Sequence, residues 1–121
     1  MSIPKDTISG FTQIDQLKGD NWVAWKSHVT ALLCLSGLYG LVNGMDPWPD
    51  LPKIGDLTTQ EIKAERMWDM KDQQTQLLLQ LVVSDTELVH LLGASMAHQM
   101  WKQLLEVKEP KGTLGVLMAR Q

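Results

Sequence analysis

Apolar residues recur at intervals of three and four along several stretches of the chain, a spacing typical of amphipathic helices. The first stretch follows Asp20 or Asn21, either of which could cap its first turn, and it predicts a helix over about 21–35. The apolar face of this helix consists of Trp22, Trp25, Val29, Leu32 and Leu33. Gly37 suits a left-handed C-terminal cap, and a short second helix is expected over about 38–42. We interpret the first helix as the element against which the later helices pack.

A capping box opens the longest predicted helix. Thr58 is expected to be its N-cap, and Glu61, three residues later, can accept a hydrogen bond from the Thr58 amide. The helix should continue to about residue 83. Its apolar face comprises Ala64, Trp68, Thr75, Leu78, Leu79 and Val82. Asp72 lies on the same face, and because an unpaired buried carboxylate is costly, we expect it to accept hydrogen bonds from backbone amides at a neighbouring helix start.

Two further helices are predicted before Pro110. The first covers about 86–92, and the second is capped by Ser95 and continues to about residue 108. The apolar face of the second comprises Ala97, Met100, Trp101, Leu104 and Leu105. Alternating strand patterns do not compete with these helices, so the predicted fold class is all-α, a compact bundle of about five helices. The side chains expected at the centre of its core are Trp22, Trp25, Leu32, Trp68, Leu79, Trp101 and Leu104.

The predicted organisation is one helical lobe with a segment on either side. Residues 1–16 are expected to form an N-terminal arm, in which Phe11 and Ile14 tuck an extended segment against the first helix. Residues 17–108 form the lobe, and residues 109–121 form a linker and the start of a further helix. At 121 residues the chain has the length of a single domain.

An irregular loop over residues 45–57 carries three of the five prolines. Thirteen residues are long for a loop in a compact domain, which points to a functional or mobile segment. Trp48 is either a hydrophobic plug that holds the loop to the bundle or an exposed anchor for another subunit, since Trp is enriched at interface hot spots. The candidate interface consists of Trp48, Pro47, Pro49 and Leu51.

Composition and charge narrow the classes of partner and compartment. A net charge of −3 argues against a nucleic-acid or membrane-surface binder. The single cysteine, Cys34, excludes an internal disulfide and favours a reducing, cytoplasmic setting, and it is expected to act as a small core hydrophobe. Apolar runs of 18 residues are absent, so no membrane span is predicted.

Catalytic and metal-binding patterns are not supported by the sequence. His28, His90 and His98 lack a second His or Cys at one-turn spacing, and we interpret them as surface or half-buried residues. A phosphate-binding loop is unsupported because no Gly-Lys-Ser/Thr sequence occurs. We therefore predict a protein that is not an enzyme, with no catalytic residues, no metal ligands, no cofactor and no small-molecule substrate.

Four motifs follow one another along the chain at compatible spacing. They are Leu17-x-Gly19-x-Asn21-Trp22-x-x-Trp25, Leu38-x-x-Leu41-Val42-x-Gly44, Trp68-x-x-x-Asp72 and Ala94-x-x-Ala97-x-x-x-Trp101-x-x-Leu104. In this order they resemble the N-terminal capsid region of Gag from copia-type long-terminal-repeat retrotransposons. The resemblance covers about residues 15–121. Trp22 stands where the family more often has Tyr, and Thr75 where it more often has Ala.

The resemblance implies a structural protein whose fold is like the N-terminal lobe of a retroelement capsid. Gag proteins of this family self-associate into virus-like particles in the cytoplasm and package RNA. Residues 109–121 would then begin a second lobe, and RNA would be bound only by regions absent from this chain. The alternative is a monomeric helical adaptor for protein–protein interaction, domesticated from a retroelement Gag, whose grooves take peptides.

Overall fold

The computed structural model describes residues 9–11, 13–49 and 58–109. Four α-helices and one short 3₁₀ helix lie within these ranges. They are α1 (Trp22–Leu35), α2 (Tyr39–Asn43), α3 (Thr59–Leu81), the 3₁₀ helix (Leu88–Leu91) and α4 (Ala97–Lys108). The described residues contain no strand beyond one isolated bridge, so the predicted all-α bundle is confirmed. Leu51 and the helix expected over 113–121 lie outside the described residues.

One hydrophobic core joins the helices, and stacked indoles lie at its centre. The Trp25 and Trp101 ring centroids are 6.0 Å apart, and Trp22 stacks on Trp25 at 5.6 Å. Of the seven side chains expected in the core, the buried ones are Trp25, Leu79, Trp101 and Leu104. Those that pack against it while only partly buried are Trp22, Leu32 and Trp68. Trp68 is not part of this stack. The outer ring of the stack is Trp22.

The segment before α1 is bound to the C-terminal end of α3. The Leu17 amide donates to the Val82 carbonyl at 2.9 Å, and the Ser84 amide donates to the Leu17 carbonyl at 3.0 Å, which makes a parallel bridge between Leu17 and Val83. The Trp25 indole N–H donates to the same Val82 carbonyl at 2.7 Å. These bonds pair a carbonyl that the helix end would otherwise leave without a partner.

Two predicted helix caps are wrong. Asn21 occupies the N-cap position of α1 without a side-chain cap bond. Its amide group instead folds the preceding turn, accepting from the Lys18 amide at 2.7 Å and donating to the Gln16 carbonyl at 2.9 Å. Met96, not Ser95, is the N-cap residue of α4, because the Ser95 amide and hydroxyl both donate to the Gln99 side chain.

Asp72 supplies the missing cap of α4 from α3. Its carboxylate is buried and accepts from the Ala97 amide at 3.1 Å and from the Gln76 side-chain amide at 2.7 Å. The sequence predicts that Asp72 accepts from backbone amides at the start of a neighbouring helix, and its observed donor, Ala97, is the first residue of α4. A negative charge at a helix N-terminus is also favoured by the helix dipole.

Three further expectations are corrected by the structure. The backbone at residues 9–11 and 13 is helical where an extended arm was expected, although Phe11 is buried and Ile14 packs on the core. Ala64 is exposed, since the first half of α3 reaches past the core. Cys34 is exposed and does not serve as a core residue.

The end of α2 is clamped to α4. Gly44 ends α2 in the left-handed region at φ 84°, where a side chain would be strained. The His98 ring of α4 lies 3.1 Å from the position that a Cβ at Gly44 would occupy. His98 Nδ1 lies 2.8 Å from the Val42 carbonyl, and because a carbonyl only accepts, this nitrogen carries the proton. The clamp holds α2 and α4 side by side.

Candidate interaction surface

The loop after α2 presents Trp48 to solvent. We define the Trp48 loop as residues 45–49, the described part of the proline-rich segment. Trp48 is 45 % exposed, Pro47 is exposed and Pro49 is partly buried. The indole is thus partly covered by the protein and partly open to solvent, which combines features of the plug and the anchor interpretations.

Trp68 of α3 fixes the position of this loop. The Trp48 and Trp68 rings meet edge to face with centroids 5.3 Å apart, and the Trp68 indole N–H donates to the Asp46 carbonyl at 2.8 Å. The Asp46 amide in turn donates to the Gly40 carbonyl of α2 at 2.9 Å. Edge-to-face aromatic pairs contribute about 0.5–1.5 kcal/mol beyond their burial. The loop therefore presents Trp48 from a supported position.

An open apolar cleft lies between α2 and α4. We call it the α2–α4 cleft, and its volume is about 370 Å³. Its walls are formed by Tyr39, Val42, Asn43, His98, Trp101, Lys102 and Leu105. Val42 and Trp101 are buried, whereas Asn43 and Lys102 are exposed. An apolar floor with a polar rim is the usual composition of a binding cleft.

The Trp48 loop is predictable from the sequence, but the cleft is not. The walls come from two helices separated by more than fifty residues, so no local motif joins them. The one residue in the sequence that could indicate the cleft is His98, which the sequence predicts to be a surface or half-buried residue. The structure shows it partly buried and bonded to Val42, at one end of the cleft.

Two ion pairs fasten the end of α4 to the rest of the bundle. Lys108 Nζ lies 2.6 Å from Glu87 Oε1, and both side chains are nearly buried. His90 Nε2 lies 3.6 Å from the same Glu87 oxygen. Glu109, which follows α4, accepts from the Trp22 indole at 3.1 Å and pairs with Lys26. The Lys108–Glu87 and Glu109 contacts join separate elements of the bundle, whereas the His90–Glu87 contact lies within the 3₁₀ turn.

The predicted capping box is present at the start of α3. Thr58 Oγ1 accepts from the Glu61 amide at 3.1 Å, and Glu61 Oε1 accepts from the Thr58 amide at 2.7 Å. The hydrogen bonds from the Thr58 backbone and side chain lower the pKa of the Glu61 carboxyl below its usual value of 4.5. The ionised carboxylate is therefore the form that holds this helix start.

Groupings that would suggest metal chemistry are not found in the part of the chain that the structure describes. Across residues 9–11, 13–49 and 58–109, no three His, Cys, Asp or Glu side chains come together as a metal site. His28 is exposed and lies on an open groove beside α1, apart from His90 and His98. None of the described helices combines the length and apolar character needed to cross a bilayer.

Comparisons with protein-family models, with curated proteins and with solved structures found no match to this chain.

Proposed function

We propose that this chain is the N-terminal capsid lobe of a copia-type Gag protein, or of a host protein derived from one. In this role it self-associates during assembly of virus-like particles in the cytoplasm. The proposal excludes catalysis and cofactor binding, and it assigns RNA binding to regions of such a protein other than this sequence. The observation that carries it is Trp48, a half-exposed indole flanked by prolines on a supported loop.

The four motifs support the proposal because most of their prominent residues make contacts that hold the bundle together. Leu17 and Trp25 bind the end of α3, and Asn21 folds the turn between them. Asp72 caps α4, and Trp101 stacks in the core. Gly19 is the exception, since a Cβ there would meet no atom within 4 Å.

Capsid-type assembly needs many weak contacts that are repeated on every copy. Each contact can be modest in area, because multivalency sums their effects in a closed shell or tube. A rigid bundle with a protruding aromatic loop suits this mode, since Trp is enriched at interface hot spots and the loop lies outside the core.

Replacing Trp48 by Ala tests the proposal. Because Trp48 is 45 % exposed and loses mainly its edge-to-face contact with Trp68, Trp48→Ala should lower the melting temperature by only a few degrees, about 3–8 °C, and the domain should stay folded. Self-association, measured by light scattering over a concentration series, should fall. Leu92→Ala is the matched control, since Leu92 is an exposed apolar residue on another surface. Unfolding of Trp48→Ala would show that this residue is a plug and would remove the assigned contact.

A monomeric adaptor is the second candidate function, and the α2–α4 cleft favours it. The cleft has the apolar floor and polar rim that a short peptide segment can use. Light scattering at high protein concentration separates the two functions. A chain that stays monomeric supports the adaptor, whereas a mass that rises with concentration supports the capsid lobe.

A further inference from the structure

We propose that the Trp48 loop of one copy of this chain docks in the α2–α4 cleft of a second copy. This inference rests on the proposed self-association and names the two surfaces that meet in it. The loop supplies an aromatic anchor between prolines, and the cleft supplies an apolar hollow of about 370 Å³. This volume is close to the lower limit for clefts that bind small ligands, which is about 300 Å³.

The chemistry of the cleft walls fits a proline-flanked aromatic segment. Tyr39 lies partly exposed at the cleft and Trp101 is buried at its floor, and aromatic-lined grooves are the usual binding sites of proline-rich segments. Pro47 and Pro49 restrict the backbone on either side of Trp48, so less conformational entropy is lost when the loop docks. A proline-restricted aromatic segment is therefore the kind of ligand that these walls suit.

Charge complementarity favours a second copy as the occupant of the cleft. Lys102 is exposed on its rim, and none of the described residues that line the walls is acidic. Within the Trp48 loop, Asp46 is exposed two residues before Trp48, and none of the residues 45–49 carries a positive charge. An acidic loop that carries an aromatic anchor thus meets a cleft with a cationic rim. Opposite charges of this kind steer encounter and fix register.

The docking mode determines the form of the assembly. Loop and cleft are different surfaces of one molecule, so each copy can offer its loop to one neighbour and its cleft to another. Such a heterologous contact makes a ring when the rotation closes and a filament when it does not. A reciprocal exchange between two copies would instead stop at a dimer, and the mass distribution of the assembly distinguishes these cases.

Charge reversal tests the pairing of Asp46 with Lys102. Lys102→Glu and Asp46→Lys each place like charges face to face, and each should weaken self-association about tenfold or more. The combined variant restores opposite charges and should return to within about threefold of the wild type. Lys63→Glu, an equal change of charge on the exposed start of α3, is the control. Sedimentation equilibrium measures association, and circular dichroism verifies that each variant is folded.

The outcomes separate this inference from the proposed function. A wild-type chain that remains monomeric overturns the proposed function. A wild-type chain that associates, with single variants that associate equally well, overturns only the docking of loop and cleft. Failure of the combined variant to recover, while both single variants are weakened, overturns the pairing of these two charges.

A peptide experiment tests the cleft without relying on assembly. A synthetic peptide spanning residues 45–53 is added to the labelled chain, and backbone and indole NMR signals are followed. We expect shifts at Tyr39, Trp101 and Lys102, and no shifts with a peptide in which Trp48 is replaced by Ala. Shifts confined to other surfaces, or none at millimolar peptide, would refute the assignment of the cleft.

Discussion

Trp25 shows how one residue can join several parts of this fold. Its ring stacks between Trp22 and Trp101, and its N–H reaches the carbonyl of Val82 at the end of α3. The sequence predicted its burial from helical periodicity. The hydrogen bond could not be predicted, because its acceptor lies 57 residues away and depends on where α3 ends.

Two conservative variants, compared with each other, measure what Trp25 adds through its hydrogen bond and its second stacking contact. Trp25→Phe and Trp101→Phe both shrink a buried, stacked ring, but only Trp25 donates to a described backbone carbonyl. Trp25→Phe should therefore lower the free energy of unfolding by about 1 kcal/mol more than Trp101→Phe. Urea unfolding followed by circular dichroism measures both values. Equal losses would show that the bond and the second stacking contact add nothing to stability.

The predictions that the structure contradicts also concern single side chains. Cys34 lies between two leucines in sequence, but its direction on α1 takes it to solvent. Asn21 and Ser95 have side chains suited to capping, and both bond elsewhere. Local preference allowed each expected role, and the actual partner was decided by neighbours that local patterns do not specify.

At the scale of elements, helix positions followed the apolar periodicity closely. The first helix was expected over 21–35 and is Trp22–Leu35, and the last ends at Lys108 as expected. The long helix ends at Leu81, two residues early, because Val83 leaves the helix to pair with Leu17. The short helix is a 3₁₀ turn of four residues. The type of the four α-helices was thus readable from sequence, whereas the helical backbone around residue 11 was not, and the end of α3 was set by tertiary bonds.

The start of α3 should respond to pH through Glu61. Its folded pKa lies below the unfolded value near 4.5, so its stabilisation of the first turn is present above that value. The stabilisation is lost as pH falls through the lower, folded pKa, because the protonated carboxyl is a poorer acceptor. NMR ¹³Cα shifts at residues 58–62 should therefore move toward coil values on acidification. Glu61→Gln should remove most of this trend, and an unchanged trend would assign it to another group.

At the scale of the whole molecule, the Trp48 loop and the α2–α4 cleft differ in how far sequence could predict them. The loop was recognisable because prolines and a lone Trp are local signals. The cleft required the contact of α2 with α4, which the His98 clamp establishes across 56 residues. Surfaces built from distant segments follow from the fold and not from any single stretch.

Glu87 and Lys108 form a nearly buried ion pair, in which either charge left without its partner should be costly. Lys108→Met leaves the Glu87 carboxylate buried without its 2.6 Å partner, and the free energy of unfolding should fall by about 3 kcal/mol. Combining it with Glu87→Gln removes the orphan charge and should recover most of that loss. Urea unfolding of the two single variants and the double variant measures the coupling. Additive losses in the double variant would contradict this account.

The stack of indoles can form only late in the synthesis of the chain on the ribosome. Trp25 needs Trp101 as its ring partner, and 76 residues separate them along the chain (101 − 25 = 76). At a translation speed of about 5–20 residues per second, Trp25 waits about 4–15 s for that partner to be made. During this interval Trp25 lacks the ring that covers it in the folded bundle, so the core closes only once α4 has been made.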